Sequence, residues 1–186
     1  MSARGWILAA AMTAFFGSHE ALAAGPFTLT STGFKDGERL PQRFAGAIKS
    51  NPNCIGENVS PELSWSNPPD GTKSFLLLMF DPEGRPPGGV SHFVAYDIPA
   101  SVTSFAEGEL SKPGDKYVGG QSTIKTSIYI GPCTPAGAPH HYIFTLIATD
   151  LDPKELKEGL TREEVIKAVD GHAKGATGLI GTFSHP

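Results

Sequence analysis

Residues 75–80 of this chain read Phe-Leu-Leu-Leu-Met-Phe, and Asp81-Pro82 follow directly. An apolar run this short, closed by residues that favour turns, is typical of a β-strand covered on both faces. Phe93–Ile98 and Ile143–Thr149 are also mostly apolar. We therefore expect these three segments to form the centre of a sheet. If the first two are antiparallel neighbours, Asp81 leaves one strand at the end where His92 begins the other.

The composition also favours strands joined by turns. The 186 residues include 22 Gly and 16 Pro, which helix interiors exclude. Short apolar or alternating segments recur between Gly, Pro, Asn and Asp clusters, as in an all-β sandwich. The candidate strands are Phe27–Ser31, Ser74–Phe80, Ser91–Ile98, Ile124–Ile130 and His141–Thr149.

Helix is predicted only near the end of the chain. Thr161 and Glu164 have the spacing of a capping box, Val165, Ile166 and Val169 give a short apolar face, and Gly171 can end the helix. A weaker helical turn is predicted at Pro153–Glu158. No linker long enough to separate two domains is present, so residues 24–186 are predicted to form one domain.

The net charge and the first residues of the chain limit the classes of function to consider. Lys and Arg number 15 against 19 Asp and Glu, a formal charge of -4 without a basic cluster, so a nucleic-acid partner is not expected. Residues 1–23 resemble an export signal: Arg4, an apolar run from Trp6 to Phe16, and the small-x-small sequence Ala21-Leu22-Ala23. The run is too short to span a bilayer. We predict a periplasmic or secreted protein, with an uncleaved N-terminal anchor as the alternative.

Export affects the interpretation of the two cysteines, Cys54 and Cys133. Two cysteines alone cannot form a zinc site, and an oxidising compartment favours a disulfide between them. Two unpaired buried thiols are the alternative.

Two loops rich in Gly and Pro adjoin the residues best suited to chemistry. Residues 82–91 separate Asp81 from His92, and residues 131–139 precede His140 and His141. Because side chains alternate along a strand, His140 should share a face with Tyr142, and His141 should point the other way.

Asp81, His92 and His140 could bind a metal or, with backbone N–H groups, an anion such as phosphate. A Ser91–His92–Asp81 hydrolytic triad is not favoured, because adjacent strand residues face opposite ways.

Four segments together resemble the phosphatidylethanolamine-binding protein family, specifically its bacterial, Raf kinase inhibitor-like branch. Residues 58–65 resemble its N-x-S-P-x-L-x-W segment, and Asp81-Pro82-Glu83 its D-P-D-x-P motif, followed by His92-Phe93. Gly131-Pro132-Cys133 and Pro139–Tyr142 resemble its G-P-[PC]…H-R-Y block. Gly171-His172 and Gly181–Phe183 resemble the bacterial tail.

The resemblance implies an antiparallel Greek-key β-sandwich with a short C-terminal helical element and a small pocket for a phosphate or phospholipid head group. The residues implied at the pocket are Asp81, His92, Gly131, Pro132, His140 and Tyr142, with Glu83 and Pro86 at its rim. Three departures bear on the ligand: Glu83 replaces the second Asp, the proline comes later, at Pro86 and Pro87, and His141 stands where many members have Arg. A disulfide is expected in bacterial relatives with cysteines at these places.

The function expected is non-catalytic binding of a small anionic or zwitterionic phosphate, without a cofactor. A kinase or protease inhibitor module and an enzyme using Asp81, His92 and His140 are the alternatives. An unidentified protein and a second copy of the chain are the macromolecular partners left open.

Overall fold

The apolar run at residues 75–80 lies in the central strand of the larger of two antiparallel sheets. The computed structural model describes residues 25–186, so the predicted export signal at residues 1–23 lies outside it. In chain order the elements are β1 (Thr28–Thr30), β2 (Leu63–Ser66), β3 (Ser74–Asp81), β4 (Val90–Pro99), β5 (Ser104–Phe105), β6 (Val118–Gly119), β7 (His140–Thr149), α1 (Arg162–Ala168) and β8 (Ala173–Phe183), with 3₁₀ turns at Gln42–Phe44 and Glu109–Ser111.

The strand order confirms the predicted antiparallel Greek-key sandwich. The larger sheet has the order β6-β4-β3-β7-β8, and the smaller sheet β1-β2-β5. Strands β3, β4 and β6 succeed one another across the sheet, and β7 returns to pair with β3, which is the Greek-key order. The connection from β4 to β6 passes through β5 in the smaller sheet.

Strand β3 is buried on both faces, which explains why its sequence does not alternate. Phe75, Leu77 and Met79 belong to the core between the two sheets. Leu76 and Leu78 belong to a second cluster, in which Val165 and Val169 of α1 and its C-cap cover the opposite face. Each face therefore needs an apolar side chain at every second position.

The helix begins at the predicted cap. Thr161 Oγ1 accepts a hydrogen bond from the Glu164 N–H at 3.3 Å, and the Glu164 carboxylate accepts one from the Thr161 N–H at 2.9 Å. Val165 and Val169 are buried, but Ile166 is exposed because its side chain lies about 100° around the helix from Val165. Residues 153–158 form turns rather than the predicted helical turn. Across residues 25–186 no helix is long and apolar enough to cross a membrane.

One strand assignment from the sequence was wrong, and strands β2, β5, β6 and β8 were not predicted. Residues 124–130 form turns and irregular chain rather than a strand, and buried Tyr129 is held by its hydroxyl, which donates to the Phe44 carbonyl at 2.8 Å. The eleven-residue strand β8 was not predicted, because its glycines resemble turn residues. A Cβ at Gly181 would lie 2.4 Å from Leu40 Cδ2, so this strand has glycine where another side chain packs closely against its backbone.

Candidate functional site

A cavity of about 430 Å³ lies where β3 ends and β4 and β7 begin. Its volume is in the range of small-molecule sites. The structure brings most of the residues named from the sequence into its wall: Asp81, Glu83, Pro86, His92, Gly131, Cys133, His140 and Tyr142. Pro132 is buried and does not line the cavity. The Pro132 carbonyl instead accepts a hydrogen bond from the Gly46 N–H at 2.8 Å.

Asp81 ends β3 and is 3% exposed. Its Oδ1 accepts hydrogen bonds from the backbone N–H groups of Glu83 and Gly84, both at 2.9 Å. Its Oδ2 lies 2.8 Å from His140 Nδ1. A carboxylate accepts hydrogen bonds and does not donate them, so His140 Nδ1 carries the hydrogen. His140 Nε2 makes no hydrogen bond to Asp81. Three protein donors therefore compensate the buried Asp81 carboxylate.

The His92 ring is held by the Ile130 carbonyl oxygen, which lies 2.7 Å from His92 Nδ1. Because a carbonyl only accepts, Nδ1 must be the protonated nitrogen, and the neutral ring has Nε2 as an acceptor. Burial lowers the pKa of His92, against the smaller opposing effects of the Ile130 carbonyl and Asp81. The ring packs edge-on against Tyr142, whose hydroxyl pairs with Thr134 Oγ1 at 2.6 Å. Burial also raises the pKa of Tyr142, so this phenol stays protonated.

A β-bulge changes the direction of the side chains at the start of β4. Met79 pairs with Phe93 and Phe80 pairs with Ser91, so His92 is the additional residue on β4. Ser91 and His92 consequently both line the cavity, and the expectation that they face opposite ways was wrong. They do not form a Ser–His pair: His92 Nδ1 is bonded to Ile130, and Ser91 Oγ has no hydrogen-bond partner among residues 25–186.

The structure also bears on the metal alternative. Within the described part of the chain, no three His, Cys, Asp or Glu side chains form a group that could hold a metal ion. Asp81 and His140 are hydrogen-bonded directly to each other, and one nitrogen of His92 is bonded to a carbonyl.

One wall of the cavity is held in place by Asn58, whose role the sequence did not reveal. Asn58 Nδ2 donates to the Tyr129 carbonyl at 3.0 Å, and its Oδ1 accepts from the Gly131 N–H at 2.9 Å. The Asn58 backbone has a left-handed φ of 57°, which asparagine tolerates better than most residues. Gly131 must be glycine, because a Cβ there would lie 1.9 Å from the Phe44 carbonyl oxygen.

A disulfide joins Cys54 to Cys133. Cys133 belongs to the wall that follows Gly131, and Ile48 and Asn51 on the other segment also line the cavity. The disulfide therefore connects two segments of the cavity wall that are far apart in sequence.

The rim contains a second acid–histidine pair. Glu83 Oε1 lies 2.8 Å from His141 Nδ1, and Glu83 Oε2 accepts the His141 backbone N–H at 3.1 Å. Burial acts to raise the pKa of Glu83, but the hydrogen bonds from His141 outweigh it and lower that pKa.

His141 does not line the cavity, whereas Arg85 on the same loop as Glu83 does. Arg85 thus brings a permanent cation to the mouth of the cavity, although His141 stands where many family members have Arg.

Comparison with known proteins agrees with the fold. The family model described as phosphatidylethanolamine-binding protein matches residues 30–184. A UPF0098 protein of Methanothermobacter thermautotrophicus is 35% identical over 157 residues, covering 83% of this chain and 97% of the relative. LppC of Mycobacterium tuberculosis, named as a lipoprotein, is 34% identical over 169 residues, covering 87% and 74%. The crystal structure of Escherichia coli YbcL superposes with a TM-score of 0.78 at 27% identity, covering 86% of this chain and 99% of that one. None of these names describes an enzymatic activity.

Proposed function

This chain belongs to the phosphatidylethanolamine-binding protein family, and we propose that it is an exported, non-catalytic binding protein whose cavity takes a small anionic or zwitterionic phosphate. The observation that carries the proposal is the set of groups in the cavity wall. Two histidines each have one ring nitrogen committed to a protein acceptor, beside a compensated buried carboxylate. Such a set binds and orients a polar group without requiring a nucleophile.

The charges of the wall favour a ligand that carries both signs. Asp81 and Glu83 are acidic, Arg85 is basic, and His92 and His140 contribute polar ring nitrogens. A phosphate interacts favourably with Arg85, but Asp81 repels it. An ammonium group on the same ligand can instead pair with the acids. Phosphoethanolamine supplies both groups, and its size suits a cavity of about 430 Å³.

Titration calorimetry with phosphoethanolamine, inorganic phosphate and ethanolamine tests this proposal. We expect phosphoethanolamine to bind most tightly, in the micromolar to millimolar range, because it offers both a phosphate to Arg85 and an ammonium group to Asp81 and Glu83. His140→Ala and Arg85→Gln should each weaken binding. The matched control is His172→Ala, which removes a histidine paired with Asp150 outside the cavity wall. No binding by the wild-type protein, or equal binding by His140→Ala, would overturn the proposal.

Vesicles separate the two sources of such a head group. Phosphatidylcholine vesicles with and without phosphatidylethanolamine are sedimented with the protein, and free phosphoethanolamine is added as competitor. Retention that depends on phosphatidylethanolamine and is reversed by the competitor supports a lipid ligand. Binding of phosphoethanolamine without vesicle retention supports a free phosphate compound.

Export is supported separately. The Cys54–Cys133 disulfide suits an oxidising compartment, and one relative is named as a lipoprotein. Mass spectrometry of the mature N-terminus in the native host should find a chain that starts at Ala24. A chain starting at Met1 would contradict export by a cleaved signal.

A further inference from the structure

Ser91 has an unusual environment for a buried serine. It is 7% exposed and lines the cavity, and its Oγ is buried with no hydrogen-bond partner in residues 25–186. A buried hydroxyl without a partner is unfavourable, and buried polar groups in folded proteins are nearly always paired. Ser91 therefore reduces the stability of the free protein unless something in the cavity pairs with it.

The backbone of Ser91 is held on both sides by Thr123. The Ser91 N–H donates to Thr123 Oγ1 at 2.8 Å, and the Thr123 N–H donates to the Ser91 carbonyl at 2.9 Å. The bulge at His92 places both residues in the cavity wall. The Ser91 hydroxyl is shielded from solvent in the free protein, so rotation about χ1 must turn it towards a ligand in the cavity.

The two histidines and the tyrosine of the wall already use their side-chain hydrogens within the protein. The ring hydrogens on Nδ1 of His92 and His140 are directed at the Ile130 carbonyl and the Asp81 carboxylate. The Tyr142 hydroxyl is paired with Thr134. Arg85 supplies charged donors at the mouth, and with neutral histidines the Ser91 hydroxyl is a further donor in the wall for an anionic oxygen.

We propose that Ser91 contacts the ligand directly, by donating its hydroxyl hydrogen to an anionic oxygen of a phosphate or similar group in the cavity. This inference rests on the proposed function, because it requires that such a ligand enters the cavity. It assigns Ser91 a role in specificity: a ligand with an anionic oxygen satisfies the hydroxyl, and ethanolamine, which lacks such an oxygen, does not.

Ser91→Ala and wild-type protein are compared by calorimetry with phosphoethanolamine and by thermal unfolding without ligand. We expect Ser91→Ala to weaken phosphoethanolamine binding about tenfold, the size of one hydrogen bond to a charged group. The Tm of the free protein should stay the same or rise, because an unpaired buried hydroxyl has been removed. Ser91→Thr keeps the hydroxyl and should bind better than Ser91→Ala.

Ser122→Ala is the matched control. Ser122 is buried, but its hydroxyl accepts the Thr126 N–H at 3.2 Å and it is not in the cavity wall. This variant should lower the Tm and leave phosphoethanolamine binding unchanged.

The outcomes separate the inference from the proposed function. Wild-type protein that fails to bind phosphoethanolamine overturns the proposed function, and the inference with it. Wild-type binding that Ser91→Ala retains in full overturns the inference alone. A Ser91→Ala variant that loses Tm and affinity together, with neither restored in Ser91→Thr, indicates a structural role and also overturns the inference.

Discussion

The Glu83 carboxylate holds His141 twice, through the ring nitrogen at 2.8 Å and through the backbone N–H at 3.1 Å. These are two of the positions at which the sequence departs from the family motifs, and they contact each other. On the inner side of the same connection, Asp81 holds His140 at 2.8 Å. Two adjacent histidines at the start of β7 thus fasten the loop after β3 at two points, one in the cavity and one at the surface.

The Glu83–His141 pair at the rim predicts how the pKa of Glu83 responds to a substitution at position 141. His141→Ala removes the ring hydrogen bond, so the pKa of Glu83 should rise from its lowered value toward 4.5. Because the folded pKa is lowered, the pair contributes stability above about pH 4.5, and this is lost as the pH falls through the folded pKa. NMR titration of the Glu83 side-chain carboxyl measures the shift. His172→Ala should leave it unchanged, and an unshifted Glu83 in His141→Ala would contradict the pairing.

Burial of neutral His92 predicts a loss of stability in acid. Its folded pKa is lower than 6.5, so below pH 6.5 an unfolded chain gains a proton that the folded protein does not. The free energy of unfolding should therefore fall with decreasing pH, by at most about 1.4 kcal/mol per pH unit from this group. Urea titrations between pH 8 and pH 5 measure the slope. His92→Gln should flatten it, although that variant is less stable throughout; an unchanged slope would show that His92 is not responsible.

The disulfide predicts a large effect of reduction. Cys54 and Cys133 are 79 positions apart, and closing a loop of that length stabilises a protein by about 4 kcal/mol in the chain-entropy treatment. The Cys54→Ser/Cys133→Ser double variant should therefore have a lower urea midpoint than oxidised wild-type protein. Reductant should lower the wild-type midpoint and leave the double variant unaffected. Two free thiols in oxidised, denatured wild-type protein would refute the disulfide.

Asn58 predicts a link between a loop and the cavity wall. Asn58→Ala leaves the Gly131 N–H and the Tyr129 carbonyl without their partner, which should cost about 2 kcal/mol of unfolding free energy. Asn58→Gly loses the same hydrogen bonds but accepts the left-handed φ, so it should be roughly 1 kcal/mol more stable than Asn58→Ala. Faster amide exchange at Gly131 in both variants would show that the wall has loosened. Unchanged exchange would show that Asn58 does not hold it.

Much of the fold could be predicted from short patterns. The apolar run of β3, the capping box at Thr161 and the mostly apolar β4 and β7 are local signals, and each corresponds to an element of the structure. The failures share a different cause. Strand β8 is rich in glycine because other groups pack against its backbone, and residues 124–130 look like a strand because loop residues such as Tyr129 are buried. Tertiary packing determines both features, and local patterns do not report it.

The sequence by itself determined which residues adjoin the cavity at strand ends, because Asp81, His92 and His140 each border a Gly- and Pro-rich loop and strand pairing brings such ends together. Only the tertiary structure decided which atoms they offer. The additional residue at the bulge places Ser91 in the same cavity wall as His92. The acceptors at Ile130 and Asp81 determine which ring nitrogens of His92 and His140 carry hydrogen. Arg85 and Asn58 became part of the site through contacts between segments distant in sequence. The physical reason is that side-chain direction and hydrogen-bond pairing depend on neighbours in space, whereas the sequence records neighbours along the chain.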